Sequence, residues 1–132
     1  EINTAEIWKI FEDNFLIPRK GFSYISHNSS SQDEVHHLEL KMVIDEKEVT
    51  INGSGNGPID SFINGLSKEL KTVIKVSDYH QSAISSGSDA KAAAYIELEQ
   101  DGKTNWGVGI NPNTTRASFE AIIVGLSKLN NS

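Results

Sequence analysis

The sequence predicts an α+β domain made by internal duplication, and three observations carry that reading. Apolar and polar residues alternate with period two over 38–51 and again over 92–110. A helical pattern of apolar residues follows each alternating run. Corresponding turns and glycines stand at a constant spacing, with Asp45 and Asp101 giving 101 − 45 = 56 and Gly53 and Gly109 giving 109 − 53 = 56. Ser61-Phe62 and Ser118-Phe119 differ by 57, so one inserted residue is expected between the strands and the second helix. With 132 residues the chain fits a single domain, since ~100–200 residues per domain is usual.

In order along the chain, Asn3 with Glu6 has the form of a capping box and Ile2 with Ile7 that of a hydrophobic staple. Ile7, Ile10, Phe11 and Phe15 follow at helical spacing, so Thr4 to about Leu16 reads as an amphipathic helix that Pro18 to Gly21 ends. The polar run from His27 to Asp33 reads as a flexible loop. Leu38, Leu40, Met42 and Ile44 alternate with wetter residues, Asp45-Glu46-Lys47 turns, and Val49 and Ile51 continue, which makes two strands. Gly53 to Gly57 then leads to Pro58, well placed at the first position of a helix. Ile59, Phe62, Ile63, Leu66 and Leu70 mark that helix. In the second half, Val73–Val76 and Ala92–Leu98 read as strands. Asp101-Gly102-Lys103 turns, Trp106, Val108 and Ile110 continue, and a last helix runs from about Thr114 to Leu129.

Composition excludes several classes of function. Twelve Lys and Arg against eighteen Asp and Glu give 12 − 18 = −6, the wrong sign for a nucleic-acid backbone. With no cysteine there is no disulfide, zinc ribbon or thiol nucleophile. No apolar run approaches the ~18 residues of a membrane span, and no signal-peptide pattern opens the chain. Beginning at Glu1, the chain is expected to be a processed product or a piece of something longer. His36 and His37 point to opposite faces of a strand, His27 and His80 are remote in sequence, and no HxxxH or HxH spacing offers a metal site. No Gly-x-Ser-x-Gly elbow supports a catalytic triad.

Two stretches invite a ligand. Gly53-Ser54-Gly55-Asn56-Gly57-Pro58 joins a strand to a helix, where free backbone N–H groups and the helix dipole favour an anion. The same residues also suit a glycine-rich connection needing positive φ, and they lack P-loop and GxGxxG spacing. From Ser77 to Ala90, small residues and two carboxylates surround Tyr79, with Val76 as an apolar wall. That is the make-up of a pocket for a small amphipathic ligand, but on the residues alone a long loop crossing between the halves is the favoured reading.

In combination these residues resemble a known family. Gly55-Asn56-Gly57-Pro58-Ile59-Asp60-Ser61-Phe62 comes first, followed by Asp78-Tyr79-His80 with Ala83 and Gly87-Ser88-Asp89-Ala90. Then come Trp106-Gly107-Val108-Gly109-Ile110 and Ala117-Ser118. In that order they resemble the C-terminal regulatory domain of 2-isopropylmalate synthase, over roughly Val35 to Asn130. The citramalate synthases share the domain. Glu6 to Phe11 is similar to the end of the linker subdomain that precedes it, so residues 1–20 would be linker helix and 21–132 regulatory domain. The repeats would fall at about 22–71 and 72–130.

The resemblance implies two pseudo-twofold-related βββα units, homodimerisation through this domain, and feedback inhibition by L-leucine bound near the dimer interface. Isoleucine sensing, as in citramalate synthase, and a ligand-free dimerisation module are the alternatives. It also implies a parent cytoplasmic acyltransferase acting on acetyl-CoA and 2-oxoisovalerate. That enzyme's catalytic barrel, with its divalent metal, lies outside this chain, so no catalytic residue, metal ligand or cofactor is expected here. By motif position, Ile59, Asp60, Val76, Tyr79, Ala83 and Ala90 would line the leucine pocket; the family often has Ala where this chain has Asp60. The turn Gly55-Asn56-Gly57-Pro58-Ile59 would hold the carboxylate, and Asp60, Asp78 or loop carbonyls would hold the ammonium. Burying a leucine side chain is worth ~1.5–3 kcal/mol and one methylene discriminates by ~1–3 kcal/mol, so valine should bind more weakly.

Overall fold

The computed structural model describes residues 21–84 and 90–130. The expected helix over Thr4–Leu16, with its capping box and staple, lies outside the described residues. The chain runs β1 (Phe22–Gln32), β2 (Val35–Ile44), β3 (Lys47–Gly55), α1 (Pro58–Leu70), β4 (Ile74–Ala83), β5 (Ala92–Gln100), β6 (Lys103–Asn111) and α2 (Thr114–Asn130). Each run of three strands forms its own antiparallel sheet, in the orders β1-β2-β3 and β4-β5-β6. The architecture is therefore α+β, with two βββα units.

Three hairpins turn tightly with positive φ at both central residues: Asp33-Glu34, Asp45-Glu46 and Asp101-Gly102. Such turns follow the right-handed twist of the flanking strands. Only the last uses glycine at its second position; Glu34 and Glu46 hold left-handed backbone at a steric cost.

Alternation places Leu38, Leu40 and Met42 of β2, Ile51 of β3, and Ala94, Ile96 and Leu98 of β5 in one core with both helices. Phe62 of α1 meets Phe119 of α2 edge to face, with ring centroids 5.2 Å apart, and ties the halves together. The helices lie so close to the sheets that only glycine fits beneath them. A Cβ on Gly53 would collide with the carbonyl oxygen of Ser61, and one on Gly109 with that of Ala117. Buried Ser61 bridges α1 to β2, donating to the His36 carbonyl at 3.1 Å while His36 Nδ1 lies 3.0 Å from its oxygen. A smaller cluster of Ala93, Tyr95 and Val108, with Ile84, Trp106 and Ile110 against it, occupies the other face of the second sheet.

Two expectations are corrected. His27–Asp33 is not a loop, because β1 continues to Gln32 and pairs along its length with β2. Backbone pairing needs no apolar side chains, and the serines of this edge strand face water. Nor is a residue inserted before the second helix. Gly57 O accepts from Ser61 N–H, and Asn113 O accepts from Ala117 N–H, 56 residues on. The strand glycines meet helix atoms at the same spacing, so the equivalent of Ser61 is Ala117, and the Ser-Phe dipeptides are not structural counterparts.

Candidate functional site

The site grows from the first turn of α1. Gly57 caps this helix with extended backbone and no side-chain hydrogen bond, and Pro58, which lacks an N–H, occupies N1. The N–H groups of the first turn, otherwise satisfied by a capping side chain, point outward there. The equivalent end of α2 is closed by its own sequence, since Asn113 Oδ1 accepts the Arg116 N–H at 2.9 Å.

Strand β4 supplies the opposite wall through an irregularity. Pairing with β5 shifts between Val76 and Asp78, so Ser77 is an extra, bulged residue. Ile74, Val76, Tyr79 and Gln81 then all face the same cavity, which strict alternation would forbid for Val76 and Tyr79. The cavity holds about 830 Å³ and is closed at its third side by Thr114, Thr115 and Ser118 of α2. The Tyr79 hydroxyl lies 3.5 Å from Ser118 Oγ. Ser118 gives its own proton to the Thr114 carbonyl at 3.1 Å, which leaves Tyr79 as the donor. Asp60 and Lys75 place one charge of each sign on the lining, beside apolar Ile59, Ile63, Ile74 and Val76.

Of the residues expected from the sequence, Asn56, Gly57, Pro58, Ile59, Asp60, Val76 and Tyr79 line this cavity together. Gly55 does not: the space a Cβ would take there is filled by the Asp60 carboxylate, so it packs behind the turn. That carboxylate also accepts the Asn56 N–H at 3.0 Å, which removes one amide expected for a ligand carboxylate. Asp78 lies at the bulge off the lining, bound by His80 Nε2 at 3.1 Å and by the Tyr79 N–H at 2.9 Å. Those two bonds, His80 first, hold its carboxyl below the usual carboxylate range. Ala83 closes β4 against Ala92, and both it and Ala90 are exposed and off the lining. The stretch from Ser77 is thus strand as far as Ala83 and not a crossing loop; residues 85–89 lie outside the described residues.

The sequence reading missed Ile63, Asn64, Ile74, Lys75, Gln81, Thr114, Thr115 and Ser118. Ile63 follows Ile59 by one helical turn and could have been found from that spacing. The two threonines and Ser118 come from the far end of the chain, and only the duplication hints that a second helix start is near the first. Among the described residues, no group of three His, Asp or Glu side chains could hold a metal ion, and no helix is long and apolar enough to cross a membrane.

These features define a duplicated α+β domain with an open cleft between its two helix starts. The family model described as the LeuA allosteric (dimerisation) domain matches residues 1–130, and the chain belongs to that family. It is 36% identical to a 2-isopropylmalate synthase of Mycobacterium ulcerans over 131 residues, covering 97% of this chain and 23% of the relative. A Ralstonia pickettii 2-isopropylmalate synthase is 33% identical, covering 98% and 23%. One from Thermobifida fusca is 35% identical, covering 100% and 23%. The chain therefore spans about a quarter of the length of these relatives.

Proposed function

We propose that residues 21–132 form the regulatory domain of a 2-isopropylmalate synthase, binding L-leucine in the cleft between α1, β4 and α2 and signalling feedback inhibition. The observation that carries this is the cavity itself: an uncapped helix N-terminus, a carboxylate, an ammonium and a row of branched apolar side chains converge on one space of amino-acid-accommodating size. Asp60 accepts the ligand ammonium. The open amides of α1's first turn, with Lys75, take its carboxylate. Ile59, Ile63 and Val76 enclose the side chain. Condensing acetyl-CoA with 2-oxoisovalerate, and the divalent metal that serves it, belong to a catalytic barrel elsewhere in the parent enzyme of the cytoplasm.

The family's dimerisation role supports a homodimer built through this domain. Leucine inhibits by binding one state of the enzyme better than another, since a ligand of equal affinity for both shifts nothing.

Calorimetric titration with leucine, valine and isoleucine tests the reading. Leucine should bind most tightly and valine more weakly. Heat with isoleucine alone would assign the domain to a citramalate synthase, and a dimer giving no heat with any of the three would leave a plain dimerisation module.

A further inference from the structure

The duplication should produce two clefts, because every element lining the open one has a counterpart. The strand bulge fixes the correspondence. Register shifts between Tyr24 and Ser26 in β1 just as it does between Val76 and Asp78 in β4. Tyr24 therefore stands for Val76 and His27 for Tyr79. Along the helices the spacing of 56 makes Arg116 the counterpart of Asp60 and Phe119 that of Ile63.

In the open cleft Val76, Tyr79, Asp60 and Ile63 line one cavity and leave it unfilled. Their four counterparts instead touch one another. The Arg116 guanidinium lies 3.7 Å over the Tyr24 ring, the Tyr24 hydroxyl is 2.7 Å from His27 Nδ1, and His27 meets Phe119 edge to face with ring centroids 5.0 Å apart. Valine, aspartate and isoleucine have been exchanged for tyrosine, arginine and phenylalanine, and the larger side chains fill the space. Arg116 Nε is buried there without an acceptor, a donor that an entering carboxylate would satisfy.

We infer that the first-repeat cleft is a second small-carboxylate site closed by its own side chains, Tyr24, His27, Arg116 and Phe119, so that each chain takes one ligand and not two. The inference rests on the amino-acid reading of the open cleft. It also assigns those residues a role beyond core packing, because removing the plug should recreate a site.

The test is calorimetric titration of the 132-residue chain with L-leucine, beside Tyr24→Val/Asn113→Gly/Arg116→Asp, which copies the open cleft's strand wall, uncapped helix start and carboxylate. Wild type should take up one leucine per chain and the triple variant two. Two in the wild type would overturn the inference. An independent reading comes from proton NMR titration of the His27 ring, which should move up toward the ordinary histidine range once Tyr24 and Arg116 no longer cover it. If it moves and stoichiometry stays at one, the emptied cleft is no ligand site and the inference fails. If it does not move, those side chains were not the plug, and it fails again. A wild type that binds no leucine refutes the amino-acid reading, and the closed cleft is then judged by the His27 titration alone. Tyr24→Val/Asn113→Gly, which removes the ring and the cap and keeps Arg116 as a donor to the carboxylate, carries the same two measurements should the triple variant not fold.

Discussion

Replacing Gly53 with Ala tests how tightly the cleft is anchored to the sheet. The new methyl would collide with the Ser61 carbonyl oxygen and lie 2.8 Å from Gly65 N and 3.0 Å from Gly65 Cα. All three are backbone atoms of α1, so no side chain can rotate aside. The helix cannot lift freely either, because Phe62, Ile63 and Leu66 hold it in the core. Overpacking typically costs ~1–3 kcal/mol, and a clash with backbone belongs at the upper end, about 3 kcal/mol. Against a total stability of ~5–15 kcal/mol that is a large fraction. For a domain of this size it should lower Tm by roughly 10 °C. Gly57→Ala is the control, since a Cβ there meets nothing within 4 Å and its φ of −171° is extended backbone open to any residue; it should cost no more than about 1 kcal/mol. Urea denaturation read by tryptophan fluorescence measures both. Because α1 begins at the cleft, Gly53→Ala should also weaken leucine binding in the fraction that remains folded. A Gly53→Ala chain within 1 kcal/mol of wild type would refute the close-packing argument.

Val76→Phe should weaken leucine binding at least about tenfold with little change in Tm, because the ring enters the cleft from a residue already 36% exposed. Ala83→Phe, at an exposed residue off the lining, should leave leucine affinity within about threefold of wild type. Calorimetry reads both variants, and unchanged affinity for Val76→Phe, or a large loss for Ala83→Phe, would displace the site. Glu46→Gly relieves a left-handed residue at φ 69° and should stabilise the domain by roughly 0.5–1 kcal/mol in the same denaturation assay. His27 is held below its ordinary value first by burial, then by the charges of Arg116 and His36. The folded chain therefore refuses a proton that the unfolded chain accepts below about pH 6.5. Stability should fall as pH drops from there through the folded value, and His27→Gln should flatten that slope, whereas the loss tied to Asp78 belongs to the more acidic carboxylate range.

Periodicity was enough to locate β2, β5 and both described helices, because each buries one regular face. The duplication was legible too, in the spacing of turns and strand glycines, although matching the two Ser-Phe dipeptides introduced an insertion that the helix contacts do not support. β1 and the far half of β4 were not legible, for a shared reason. One bulged residue in each, Ile25 and Ser77, breaks the alternation, so Tyr24 with His27 and Val76 with Tyr79 share a face at a spacing of three. At the site, Gly-Asn-Gly-Pro marks the start of α1 by its composition. The contribution of Thr114, Thr115 and Ser118 depends on packing between halves that no local pattern records.

The same bulge connects fold to function. Without it, the row facing the helices would run Ile74, Val76, Asp78, His80, setting a polar pair toward the core and turning Tyr79 away from α2. With it, Tyr79 reaches Ser118 at 3.5 Å, while Asp78 and His80 bind each other on the outer side. β1 carries the bulge at the matching position, so the device belongs to the repeated unit and is not particular to one ligand cleft. What separates the two clefts is the size of the side chains set on a shared frame: valine and aspartate leave one open, tyrosine and arginine fill the other. A duplicated domain of this kind can lose one of two equivalent sites by side-chain substitution alone, with both sheets and both helices kept.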